Sequence, residues 1–220
     1  MIKAIAVIIL AYLIGSIPFG LVIGKIGYKK DIRRHGSGNL GATNTFRVLG
    51  PFAGAIVLIL DISKGLLAIG LANLLFPETP TLIQHPQNVD PWQSAIVVLA
   101  GMAVICGHNW SLYLKFSGGK GVATGAGVLI MLVPTIVLFL LIAWGIMLAL
   151  TRYVSLSSIV VAAAFPVLMF MFFPDNIPYI LFSFVSSFVV IFKHRSNIRR
   201  LLAGQENRIG KSISQTGENK

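Results

Sequence analysis

The sequence predicts an all-α integral membrane protein of about seven transmembrane helices, with its amino terminus outside and its carboxy terminus cytoplasmic. Three observations carry that prediction. The 220 residues are 55% hydrophobic and only 11% charged, too few charges to cover a water-soluble globule. Mean hydropathy is +0.83, and apolar runs near the length that crosses a ~30 Å hydrocarbon core recur along the chain. The charges fall between those runs and are mostly positive, 18 Lys and Arg against 7 Asp and Glu. Cationic loops facing anionic lipid and an anionic small molecule account for this excess. No basic stripe interleaved with aromatics is present, so nucleic acid is not an expected partner. Cys106 is the single cysteine, which excludes an internal disulfide. No cluster of His, Cys, Asp and Glu has metal-ligand spacing, so neither a metal nor a cofactor is expected.

Ala4 to Gly24 is an apolar run of roughly 31 Å as a helix. It is too long for the core of a cleaved signal peptide and lacks a small-x-small cleavage site, so it reads as the first span. Lys25 to Gly50 carries Lys25, Lys29, Lys30, Arg33, Arg34 and Arg47 against Asp31, which places it in the cytoplasm by the positive-inside rule. Within it, residues 35–47 read as a loop with more glycines and short hydrogen-bonding side chains than a solvated linker needs, hence as part of a site. Phe52 to Phe76 is the second span. Asp61 and Lys64, three apart, share one helix face and read first as a structural ion pair, with a functional role as the alternative.

Pro77 to Pro91 has no Lys or Arg and belongs outside. His85 and Asp90 match the H-x4-D pair of acyl-CoA-dependent acyltransferases, but across the membrane from the other polar stretches they are expected to be a decoy. Trp92 to Cys106 is the third span and delivers residues 107–125 to the cytoplasm as a loop. There Gly118, Gly119 and Gly121 bracket Lys120, so bare backbone N–H groups and one ammonium can converge on an anion. A helix starting at Gly121 would add its positive dipole end. Gly121 after Lys120, and Leu114 in place of the first glycine, exclude a Walker A loop.

The turn Thr151-Arg152-Tyr153 carries a positive charge. With it in the cytoplasm, Gly121 to Leu150 must go out and back as two short helices breaking near Pro134. One long tilted helix would give six spans and put the basic tail outside, against its charge. Val154 to Phe173 then spans outward, Pro174-Asp175-Asn176 turns outside, and Ile177 to Phe192 returns. In the tail, Arg199 and Arg200 read as an anchor for anionic lipid, while His194 and Asn197 share a face and can point together at a bound group. Residues 1–210 are thus expected to be one polytopic membrane domain with three cytoplasmic motif regions, 35–47, 107–125 and 193–206. Residues 211–220 read as a polar, disordered tail.

Three stretches, Gly36-Ser37-Gly38-Asn39-Leu40-Gly41-Ala42-Thr43-Asn44-Thr45-Phe46-Arg47, Gly107-His108 with Phe116-Ser117-Gly118-Gly119-Lys120-Gly121-Val122-Ala123-Thr124, and His194-Arg195-Ser196-Asn197-Ile198 with Gly204-x-Glu206, resemble the three motifs of bacterial acyl-phosphate:glycerol-3-phosphate acyltransferases, the PlsY family, in the same order. The resemblance implies transfer of a fatty acyl group from acyl phosphate to the sn-1 hydroxyl of glycerol 3-phosphate, giving lysophosphatidic acid and phosphate in phospholipid synthesis. It also implies the bacterial inner membrane with the site at the cytoplasmic face, and a soluble acyl-phosphate-producing enzyme as metabolic partner. Carried over by position, Ser37 and Arg47 serve the first motif, Gly118, Gly119 and Lys120 a phosphate cradle, and His194, Asn197 and Glu206 the third motif. Asn39, Thr43, Asn44, His108 and Gly121 join them as substrate-binding candidates. The family usually has Lys where this chain has Ser117; either Lys115 supplies the charge or one lysine suffices.

Acyl phosphate is a mixed anhydride with a good leaving group. The enzyme therefore needs mainly to place a hydroxyl near the carbonyl and to stabilise developing charge. As an acyl-enzyme nucleophile, Ser37 would need His35 or His194 as a base; as a hydrogen-bond donor it needs none. The second role is preferred, with a substrate phosphate oxygen taking the hydroxyl proton and no acyl-enzyme formed. A transporter would place polar groups near the midplane and often shows internal repeats, which this chain lacks. A lipid-binding scaffold would not need the loop around Lys120.

Overall fold

The computed structural model describes residues 1–76 and 91–210. His85, Asp90 and the tail from residue 211 lie outside the described residues. The described chain is helical: α1 (Ile2–Ser16), α2 (Phe19–Tyr28), α3 (Ala42–Leu49), α4 (Pro51–Leu75), α5 (Pro91–Asn109), α6 (Val122–Leu132), α7 (Pro134–Thr151), α8 (Val154–Phe172), α9 (Ile177–Lys193) and α10 (Arg195–Leu202). Proline and glycine set most breaks. Pro18, which has no N–H to donate, separates α1 from α2. Gly50, at φ 92°, turns the chain into α4, which has Pro51 at its first position. Pro134 opens α7 one residue after α6 ends, where the sequence places the break.

All seven apolar stretches are helical, but they are not seven full crossings by length. Five segments are long and apolar enough to cross: α1 with α2, α4, α5, α7 and α8. The 17-residue α9 joins α10 as a sixth, bent by 57°. With 11 residues, α6 reaches only ~16 Å, about half the hydrocarbon core. The α6–α7 pair nonetheless leaves and returns to one end of the bundle. Lys120, just before α6, and Ser155, at the start of α8, are both tied to the Asn197–Glu206 pair.

Two further boundaries differ from the sequence reading. Residues 42–49 form α3 rather than loop, because burial of Asn44 and Thr45 on one side outweighs weak helix propensities. The loop expected from Gly107 begins later, since α5 continues through Asn109 and carries His108 in its last turn.

Small residues let the helices approach closely, the usual means of packing where lipid is as apolar as the side chains. A Cβ at Gly15 would run into the Val104 carbonyl, and one at Gly107 into the Tyr12 carbonyl, so α1 and α5 touch backbone to backbone. Gly65 faces Thr124 and Val128, and Gly127 faces the Ile62 carbonyl, joining α4 to α6 in the same way. Val7, Ala68, Ile69, Val97, Val104 and Val128 fill the buried centre, while Ile59, Leu138, Phe170 and Phe188 point outward, as suits a lipid-facing surface.

Gly65→Leu or Gly127→Leu should lower thermal stability in detergent by about 2 kcal/mol or more through overpacking. Gly70→Ala and Gly145→Ala, whose added methyl meets nothing within 4 Å, should leave the melting curve unchanged or slightly raised.

Candidate functional site

The first polar stretch is shaped from within. Gly36 lies at φ 61° and a Cβ there would collide with the Asn44 amide oxygen, so the turn requires glycine. Asn44, on α3, accepts the Ser37 N–H at 2.8 Å and donates to the carbonyls of Ile32, His35 and Asn39 at 3.1, 3.2 and 2.9 Å. Asn44 thus fixes the loop's shape, and it also lies on the wall of the cavity that Ser37 and Arg47 line. Asn39 accepts from Gly41 N–H at 2.8 Å. The loop so held presents Ser37, Asn39, Thr43 and Arg47 to a cavity.

The second stretch is pinned on both sides. Ser111 Oγ donates to the Ser16 carbonyl, and Leu112 N–H donates to Ser16 Oγ at 3.3 Å. On the inner side Gly119 N–H donates to the His108 carbonyl at 2.9 Å. A Cβ at Gly118 would strike that same carbonyl, and one at Gly119 would strike His108 Nε2. The two glycines are therefore required by close packing on His108, and the Gly119 N–H is already bonded. Neither Gly118 nor Gly119 lines the cavity. Lys120, Gly121, Val122 and Ala123 do, which brings to the wall the first turn of α6, whose N–H groups lack partners within the helix. Gly121, at φ 80°, makes that entry. Ser117 donates to the Leu114 carbonyl at 2.6 Å, and neither it nor Lys115 is on the cavity wall. Lys120 is on that wall.

The third stretch closes the ring. Lys120 Nζ donates to Asn197 Oδ1 at 2.5 Å, Asn197 Nδ2 donates to Glu206 Oε1 at 2.8 Å, and Ser155 Oγ donates to the same oxygen at 2.9 Å. Arg200 Nε pairs with Glu206 Oε2 at 2.7 Å. Burial opposes ionisation of Glu206, but hydrogen bonds from Asn197, Arg200 and Ser155 outweigh it and hold the carboxyl below its usual range. Burial, reinforced by Arg200, Arg47 and Lys193, lowers Lys120 to about 8, with Glu206 working the other way. His194 is buried, and its Nδ1 lies 2.7 Å from the Val190 carbonyl. That oxygen can only accept, so Nδ1 carries the proton and Nε2 presents a lone pair. Burial and then Lys120 push His194 down to about 4, so the ring is neutral near pH 7.

These groups line one end of a cavity of about 390 Å³, whose deeper wall is apolar, with Leu129, Val137, Leu140, Trp144, Phe165 and Phe182. That size falls in the range of small-molecule sites. Ser37, Asn39, Thr43, Arg47, Lys120, Gly121, His194, Asn197 and Glu206 are all on its wall, and so is His108. Sequence reasoning passed over Ser155, Ser158, Ser186 and Ser187, buried serines that also face the cavity. Their one signal was polar residues at helical spacing inside apolar runs. Ser158 accepts from Trp144 Nε1 at 3.3 Å. Among the described residues no group of three or more His, Cys, Asp or Glu could hold a metal.

A family model described as glycerol-3-phosphate acyltransferase matches residues 5–204. A glycerol-3-phosphate acyltransferase of Geobacillus kaustophilus is 45% identical over 203 residues, covering 92% of this chain and 94% of that one. Another from Nostoc sp. is 45% identical over 210 residues, covering 94% and 92%. Among solved structures, PlsY (YgiH), an integral membrane glycerol 3-phosphate acyltransferase in its glycerol 3-phosphate form, superposes with a TM-score of 0.82 at 35% identity, covering 94% of this chain and 96% of that one. The lysophosphatidic acid form of PlsY gives a TM-score of 0.78 at 36% identity, covering 94% and 95%.

Glu206→Gln should move the titration of Lys120 down by about one pH unit, because the nearest anion is lost. The pH dependence of Lys120 modification by an amine reagent, read by peptide mass, measures this directly.

Proposed function

The chain belongs to the glycerol-3-phosphate acyltransferase family and is a membrane acyltransferase making lysophosphatidic acid; we propose that it takes its acyl group from acyl phosphate, at the cytoplasmic face, without an acyl-enzyme. The observation that carries this reading is one cavity with two chemistries. Its outer end gathers Arg47, Lys120 and the first-turn N–H groups of α6, suited to phosphate oxygens. Its inner end is apolar and suits a fatty chain. A water-soluble phosphate ester and a lipid-soluble acyl donor can meet only where those ends join.

In the proposed step the sn-1 oxygen of glycerol 3-phosphate attacks the acyl carbonyl. A new C–O ester bond forms, the acyl C–O bond to phosphate breaks, and the electron pair leaves with the phosphate, which also takes the hydroxyl proton. Lys120 and Arg47 neutralise the charge that grows on the departing phosphate. Asn197 and Glu206 position Lys120, and the neutral His194 offers its Nε2 lone pair as a hydrogen-bond acceptor to a substrate hydroxyl. Ser37 lies exposed at the cavity edge, while His35 is off the cavity wall and His194 is too weak a base near pH 7. Ser37 therefore serves as a hydrogen-bond donor to a phosphate or carbonyl oxygen.

Lys25 is in the last turn of α2, Lys29, Lys30, Arg33 and Arg34 follow it closely, and Arg195, Arg199 and Arg200 belong to the end of the bundle that holds the cavity's polar mouth. The positive-inside rule supports placing that end in the cytoplasm of a bacterial inner membrane. A soluble enzyme that makes acyl phosphate is the metabolic partner this donor requires.

Purified protein in lipid, given labelled glycerol 3-phosphate with either palmitoyl phosphate or palmitoyl-CoA, should form lysophosphatidic acid from the acyl phosphate alone. Product from the CoA ester alone would overturn the donor assignment. Lys120→Ala and Arg47→Ala should each lower kcat/KM by about 100-fold or more. Protein incubated with acyl phosphate alone should carry no hydroxylamine-sensitive label, and a label on Ser37 would contradict the direct transfer.

A further inference from the structure

Asp61 and Lys64 sit in the middle of α4, each about 2% exposed. Lys64 Nζ pairs with Asp61 Oδ1 at 2.8 Å and lies 4.9 Å from the centre of the Phe19 ring. Mutual neutralisation would account for that much. The pair is not alone, however. His108 Nδ1, from α5, lies 3.5 Å from Lys64 Nζ and 3.6 Å from Asp61 Oδ1. The opposite ring nitrogen, Nε2, faces Gly119, where a Cβ would overlap it, and the His108 carbonyl accepts the Gly119 N–H at 2.9 Å. Lys120 follows directly.

Both nitrogens of His108 thus face protein, one the ion pair and one the glycine, while Asp61 and His108 also border the main cavity. A void of about 10 Å³ beside the cluster, walled by Ser16, Phe19, Gly118 and Gly119 among others, has room for about one water and no larger ligand. The void offers no second ligand site, and through His108 the cluster bears directly on the Gly118–Gly119 turn. We infer that Asp61, Lys64 and His108 form a positioning device that fixes the Gly118–Gly119 turn and through it the place of Lys120 at the cavity mouth. Asp61 and Lys64 are positioning residues acting through the imidazole, which they hold in one orientation. The same loop is fastened on its outer side by Ser16 and Ser111, so the buried cluster supplies the inner clamp. This deepens the acyltransferase reading and rests on it for its functional consequence, but the geometric link can be tested without turnover.

The test compares wild type, the double variant Asp61→Leu with Lys64→Met, and His108→Phe, all purified in lipid. Melting temperature, lysophosphatidic acid formation with each substrate varied in turn, and the pH midpoint of Lys120 modification are measured. Removing both ions leaves no unpaired buried charge, so the double variant should fold with a melting temperature close to wild type. Its kcat should fall by about tenfold or more, with KM for the acyl donor within about twofold because the apolar wall is untouched. Its Lys120 midpoint should rise from about 8 toward the ordinary 10.5, as the ammonium leaves its buried place among Arg47, Arg200, Lys193, His194 and Glu206. An unmoved midpoint overturns the inference whatever kcat does, because loss of a direct substrate contact would leave Lys120 in place. If the double variant does not fold, His108→Phe decides on the same criterion, since it keeps a ring against Gly119 and removes only the link to Asp61 and Lys64. Wild-type protein that makes no lysophosphatidic acid would sink the acyltransferase reading and still leave the midpoint comparison to judge the link.

Discussion

The structure depends on one hydrogen-bonded chain, from Lys120 through Asn197 to Glu206 and on to Ser155 and Arg200. Charges at the edge of an apolar bundle are costly unless each has a partner, and removing one member of a buried pair costs far more than the pair contributes. Here a single carboxylate receives three donors and, through Asn197, reaches the ammonium on another loop. The chain joins the entry of α6, the start of α8, and α10 with the residues just after it at one end of the bundle. It also explains why a short α6 can exist. Its 11 residues need not cross the membrane, because their task is to bring an unpaired helix N-terminus and Lys120 to the cavity.

The same economy of pairing appears deeper in the bundle. Asp61 and Lys64 neutralise one another within α4, and the imidazole of His108 links them to the backbone of the Lys120 loop. Glycines then mark contact rather than flexibility. Gly119 has no Cβ because His108 occupies that space, and Gly15, Gly65, Gly107 and Gly127 have none because a neighbouring helix does. Close helix packing and the position of the polar groups are in this sense one constraint.

Much of this was legible in the sequence. The apolar runs, the break at Pro134 and the clustering of the three polar stretches follow from hydropathy, proline and charge. Their meaning in detail was less so. Thr43, Asn44 and Thr45 have no strong preference for helix, and only burial of Asn44 beneath the Ser37 turn reveals α3. Gly118 and Gly119 look like a bare-backbone cradle, yet the sequence cannot show that the imidazole of His108 lies against them. The link from Lys64 to His108 spans 44 residues and leaves no local pattern. Ser155 and Ser158 are polar residues in an apolar run, a signal too weak to separate a cavity wall from a helix interior that bonds its own carbonyls.

A phosphate at Lys120 and a fatty chain beside Trp144 and Phe182 should occupy one cavity together. A structure determined with glycerol 3-phosphate and a non-hydrolysable acyl phosphonate tests it most directly. Phosphate or phosphonate oxygens should lie within hydrogen-bonding distance of Lys120 Nζ and the first turn of α6, with the chain running down the apolar wall. Phosphate groups seated away from Lys120, or a chain lying on the lipid-facing surface of the helices, would contradict it.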